Sequence, residues 1–181
     1  MMDRESYERY RSYAAGQLER AKIAITKEEA LDIEVADFGL ERFEEIGLMA
    51  LTYVNTSRCC SKELILMPDQ ICPEHRHPMQ DGKPGKEETF RCRQGEVYLF
   101  VEGTEERPDR ERIPEDLREY FQVFHKIRLL PGQQYTLLPD SLHWFQAGKD
   151  GCIVSEFSTH SDDATDIFTA PNIKRIPEIE E

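Results

Sequence analysis

Positive charge is scarce in this chain: 23 lysines and arginines stand against 36 aspartates and glutamates, a net charge of -13. That sign is wrong for steering onto a phosphate backbone or an anionic surface, so neither nucleic acid nor membrane is an expected partner. Long apolar runs are also lacking. No stretch approaches the roughly 20 residues needed to span a bilayer, and the opening MMDRESYERY has no apolar core of a signal peptide, which points to a cytoplasmic protein. The five cysteines (Cys59, Cys60, Cys72, Cys92 and Cys152) are odd in number and form no CxxC pair. Neither a disulfide framework nor a thiolate zinc knuckle is expected; they read as small, partly buried hydrophobes in a reducing compartment. Internal repeats and low-complexity tracts are absent as well.

What is present fits one domain, since 181 residues bury a core without covalent help. Tyr7, Tyr10, Ala14, Leu18 and Ala21 recur at spacings of three and four among charges, predicting an amphipathic helix over residues 3–22 that packs on a sheet. Thr26-Lys27-Glu28-Glu29 has capping-box form and predicts a second, short helix. From about residue 46 the texture turns β-branched and aromatic. Strands are expected over 47–54, 62–67, 89–92, 97–101, 123–129, 134–138 and 153–157. Turn material separates them at Pro68-Asp69, 81–85, Gln94-Gly95, Pro131-Gly132 and 148–151, as an antiparallel meander or barrel requires. The charge-crowded segment 102–119 reads as an exposed excursion between strands, and the tail after Pro171 as a partly ordered end.

One constellation carries chemistry. His75 and His77 stand two apart, so a strand sends both imidazoles to the same face. Ten residues separate His77 from Glu88, six separate Glu88 from Gly95, and His143 follows Gly132 after a gap of ten. A lone strand histidine is usually a satisfied polar group, but the joint pattern of three imidazoles and a carboxylate forms a mixed N/O set. Such a set suits Mn, Fe, Co, Ni or Zn and leaves two octahedral positions open.

This spacing resembles the two consecutive motifs of the cupin superfamily, the first carrying His75, His77, Glu88 and Gly95, the second Gly132, Pro139 and His143. The resemblance implies a mainly β, jelly-roll-type double-sheet barrel with a metal inside. Residues 1–45 would form an N-terminal helical extension, 46–160 the barrel and 161–181 a C-terminal tail. Two departures stand out: the gap between His77 and Glu88 is longer than usual, and Pro139-Asp140-Ser141 is off the usual Pro-x-Gly placement. More narrowly, residues 53–56, 60–64, 72–78, 86–93, 143–148 and 166–169 resemble the bacterial D-lyxose isomerases. That family resemblance implies a manganese-preferring, dimeric enzyme interconverting D-lyxose and D-xylulose, and D-mannose and D-fructose.

The chemistry suits the residues. Aldose–ketose isomerisation moves one proton between C2 and C1 and a second between the two oxygens through an enediolate, whose charge a chelated divalent metal would stabilise. Glu156 is the leading base: a carboxylate in the last strand is costly unless it has work or a partner, although strand parity alone also allows it to face solvent. Lys62 is the matching cation, able to donate to a sugar oxygen, or else a strand-end lysine reaching for water. Glu63, Arg91 and Asp166 are second-tier candidates, while Trp144 and Phe145 form either an apolar floor or plain core. Two other functions share this set: an iron dioxygenase, and a sugar-binding module in which the metal only anchors a ligand. A phosphosugar isomerase lacks support, because no compact basic cluster beyond Arg91 and Arg93 is present.

Overall fold

Residues 2–80, 82–104 and 110–180 are described by a computed structural model. Strand β1 (Met2–Asp3) leads into helix α1 (Arg4–Arg20), whose first turn is capped by Asp3 accepting from the Ser6 amide at 2.8 Å. The expected apolar stripe is the buried one: Tyr10, Ala14 and Leu18 pack on Met49, Leu51, Ile65 and Ile153. Helix α2 (Lys27–Leu31) opens with the complete capping box of Thr26 and Glu29.

The rest is sheet: β2 (Glu34–Ala36), β3 (Leu48–Asn55), β4 (Cys60–Leu66), β5 (Ile71–Arg76), β6 (Glu88–Val101), β7 (His125–Leu129), β8 (Gln134–Leu137), β9 (His143–Ser158), β10 (Ile167–Phe168) and β11 (Ile179–Glu180). Two long strands organise it. The first half of β9 pairs with β5 and with residues 97–101 of β6, while its second half pairs with β4 and with residues 88–95 of β6. One half of the sheet therefore runs β2-β3-β4-β9-β6-β8 and the other β10-β5-β9-β6-β7, and the bent β6/β9 pair folds one over the other. This is the mainly β, double-sheet, cupin-type architecture that the motif spacing implied.

Two turn signals resolve differently from their expected role. Gln94-Gly95 and residues 148–151 do not separate strands; they lie inside β6 and β9, where the register shifts at bulges between Cys92 and Gln94 and between Gly95 and Val97. Gly95 has φ +70°, and a Cβ there would come within 2.1 Å of the Gly151 carbonyl oxygen, so the close crossing of the two strands requires glycine. Sequence reasoning met the glycines and read a stop where the chain only bends.

The segment 102–119 also departs from the solvated loop expected of it. Residues 105–109 lie outside the described residues, but Ile113 and Leu117 are buried in the main core with Phe121 and Phe124, giving this charged stretch an apolar inner side. The tail is likewise anchored, by β11 pairing in parallel with β1 and by Arg175 reaching inward to Glu34 at 2.6 Å.

Candidate active site

Inside the curl, alternate residues of β3, β4, β6 and β9 share one face, and that face carries Ala50, Lys62, Leu64, Glu88, Phe90 and Glu156. His75 sits near the end of β5 opposite His143, the first residue of β9, and His77 follows just past the β5 end. The three rings cluster with centroids 4.3 to 5.4 Å apart, and their ligand atoms all lie within 4.8 Å of one another. His75, His77, Glu88 and His143 are all buried. Glu87, one residue away, is exposed, as strand alternation dictates.

Each imidazole is held by its outer nitrogen. Nδ1 of His75 lies 2.8 Å from the Pro73 carbonyl, Nδ1 of His143 3.0 Å from the Ser141 carbonyl, and Nδ1 of His77 2.5 Å from Oδ1 of Asp166. Carbonyl and carboxylate oxygens only accept, so all three Nδ1 atoms carry protons; Nε2 then presents a lone pair on each neutral ring, and on His77, 3.2 Å from Oε1 of Glu88, once its second proton is displaced. Nε2 of His143 is buried and makes no hydrogen bond, although Oε1 of Glu88 is 3.0 Å away. Two acceptors facing each other at that distance form a contact that a cation would relieve. The donor set and this orphaned nitrogen together fit a divalent metal.

Electrostatics follow from burial and pairing. Burial, reinforced by the neighbouring rings, pushes His75 well below its usual range, so it stays neutral. Burial also opposes charge on His77, but Glu88 and Asp166 outweigh it and raise the ring to about 9. Burial alone would raise Glu88; Lys86 and His77 reverse this and hold the carboxyl well below the usual carboxylate range.

The two residues expected to act on substrate are neighbours. Lys62 and Glu156 are register partners across β4 and β9, both point inward, and both are buried. Glu156 therefore does not face solvent. The Lys62 ammonium is engaged: it donates to both Asp163 oxygens at 2.8 Å and to Ser161 Oγ at 3.1 Å. Of the second-tier candidates, Asp166 belongs to the cluster through His77. Glu63 faces the other side of the sheet and accepts from Ser155, and Arg91 donates to Gln134. Phe145 lines the cavity, whereas Trp144 stacks on Phe100 at 3.7 Å and is core.

Sequence reasoning assigned no part to three residues of this wall. Lys86 is buried with its ammonium 2.7 Å from Oε2 of Glu88 and 2.8 Å from Oε1 of Glu156. Asp163 and Arg175 pair at 2.5 Å, joining the tail to Lys62. Lys86 had a signal in the excess length between His77 and Glu88; Arg175, in an aperiodic tail, had none. The cavity among these side chains has a volume of about 30 Å³, the share of one water or ion. His77, Lys86 and Asp166 also border an outer chamber of about 580 Å³, walled by Asn55, Arg58 and His160 among others.

Fold and cluster together define a cupin-type barrel with a buried imidazole–carboxylate centre bordered by a larger outer chamber. The chain belongs to the D-lyxose isomerase family, whose model matches residues 7–181. It is 62% identical to the D-lyxose/D-mannose isomerase of Thermosediminibacter oceani over 91% of each chain, and 57% identical to the D-lyxose ketol-isomerase of Thermofilum sp. over 99% of each. Among solved structures, the L-ribose isomerase of Acinetobacter sp. DL28 in complex with L-ribose superposes with a TM-score of 0.83 at 17% identity, covering 99% of this chain and 98% of that one. The Cellulomonas parahominis L-ribose isomerase with L-ribose gives 0.81 at 19% over the same shares. At such identities the likeness is one of fold.

Proposed function

We propose that this chain is a metal-dependent aldose–ketose isomerase that interconverts D-lyxose with D-xylulose and D-mannose with D-fructose through an enediolate. The names and near-complete coverage of the relatives support the substrates. The observation that carries the metal reading is the set of three histidines whose outer nitrogens are each taken by an acceptor, with Nε2 of His143 unpaired and Nε2 of both His77 and His143 close to Oε1 of Glu88. His75, His77, Glu88 and His143 would hold one divalent ion, Mn²⁺ by family resemblance and Zn²⁺, Co²⁺, Fe²⁺ or Ni²⁺ by donor chemistry. Bound there, it would supply Lewis-acid stabilisation of the negative charge that develops in the enediolate.

The chain's own residues do the rest. Glu156, the inward carboxylate not counted among the ligands, takes the proton from C2 and returns it at C1. Lys62 would steady the oxygens: its three donors already meet both Asp163 oxygens and Ser161 Oγ, so a sugar hydroxyl would share or replace one of these contacts. Phe90, Phe145 and Phe168 close the inner cavity with apolar surface, which keeps water from the carbanion. The open-chain sugar would reach the centre through the outer chamber, which shares His77, Lys86 and Asp166 with the inner cavity. Residues 1–181 would act as one cupin unit, and the family resemblance supports a cytoplasmic homodimer.

An aldose panel run on metal-stripped and Mn²⁺-reloaded protein, with dissolved oxygen monitored, tests the reading. Reversible conversion of D-lyxose and D-mannose with no oxygen uptake is expected. Oxygen consumption would instead indicate the dioxygenase, and saturable sugar binding without turnover the binding module.

A further inference from the structure

The spacing between His77 and Glu88 is longer than its motif needs, and the function so far makes no use of the excess. The described part of the loop, at Gly85, folds back beneath His77: a Cβ there would come within 1.9 Å of the His77 carbonyl oxygen, so only glycine lets the chain pass. The next residue is Lys86. Its side chain is 7% exposed, and its ammonium lies between the two inward carboxylates of β6 and β9, 2.7 Å from Glu88 and 2.8 Å from Glu156. A lysine is almost never buried this far unless paired, and here one cation serves two carboxylates that would otherwise repel.

Resting on the isomerase reading above, we infer that Lys86 is a positioning residue for the proton transfer: it clamps Glu156 against the metal-ligating carboxylate. It holds one oxygen of Glu156, which determines where the other points, and the same contact ties the base to Glu88. The distance from base to ligand is thus set by one ammonium. A misplacement of about 1 Å at such a centre costs on the order of 10²-fold in rate, so a loop residue that acts through the base can govern turnover. The extra residues after His77 are the means of delivering it.

The test compares Mn²⁺-loaded wild type, Lys86→Met, Lys86→Arg, Glu156→Gln and the double variant Lys86→Met/Glu156→Gln, reading kcat, KM, bound Mn²⁺ per chain and thermal melting. Lys86→Met is expected to lower kcat on the order of 10²-fold with KM changed only a few-fold and metal content kept. Lys86→Arg should recover part of kcat, and the double variant should be no slower than Glu156→Gln alone, because two residues acting through one step are not additive. Independent losses that multiply in the double variant overturn the inference, as does metal lost in proportion to activity. A wild-type kcat in Lys86→Met overturns it too. Should Lys86→Met fail to fold, Lys86→Gln carries the same comparison. Wild-type protein that isomerises no aldose refutes the functional reading itself, and full activity in Glu156→Gln removes the base; each is distinguishable from failure at Lys86.

Discussion

At the residue scale, this centre is built from what its side chains cannot do elsewhere. Three histidines spend one nitrogen each on Pro73, Asp166 and Ser141, and that expense aims the other nitrogen inward. That His75, His77, Glu88 and His143 come together was legible in the sequence, because strand and hairpin spacings bring those positions to one inner face. Glu156 and Lys62 were legible more narrowly, as charges in apolar strands. Lys86, Asp163 and Arg175 were not, because loop and tail residues have no period to betray which way they point. Glu156→Gln keeps shape while removing basicity, and we expect kcat to fall about 10²–10⁴-fold with bound metal unchanged. Solvent exchange of the C2 deuteron should fall in step; a variant that retains both would remove Glu156 from the mechanism.

Among the elements, the bent pair β6 and β9 matters most, since it belongs to both halves of the sheet, brings Glu88 and Glu156 into one cavity and sets His143 against Glu88. Helix α1, the capping box of α2 and the runs of β3, β4, β7 and β8 follow directly from periodicity and composition. The bends do not, because a glycine pair reads alike whether a chain turns back or merely crosses a neighbour closely. Gly95→Ala tests that distinction. With φ at +70° and the Gly151 carbonyl in the way, alanine should destabilise by roughly 1–3 kcal/mol or more, read as a lower denaturation midpoint. A turn position open to solvent would tolerate it far better.

For the whole molecule, the tail is part of the site. Arg175 spans Glu34 at 2.6 Å and Asp163 at 2.5 Å, and Asp163 in turn holds the buried Lys62, so the chain's last segment, its second strand and its cavity share one partly buried ion network. Burial would raise Asp163, yet Arg175 and Lys62 overcome it and hold the carboxyl far below its usual range. A depressed carboxyl adds stability that is complete above its unfolded value of roughly 4 and is lost as pH falls below it. Asp163→Asn should therefore melt lower by an amount that is steady between about pH 5 and 8 and shrinks below about pH 4. Its size there is on the order of 3–5 kcal/mol, the cost of stranding a buried cation. A gap that widens in acid would contradict this sign.

The most direct test of the account is a titration of metal-stripped protein with Mn²⁺, following D-lyxose conversion and bound metal together. Turnover should rise linearly with occupancy and level off at one ion per chain, and a chain lacking Glu88 should show neither binding nor turnover. Full activity in the stripped protein, or one tightly bound ion with no conversion of any aldose, would contradict it.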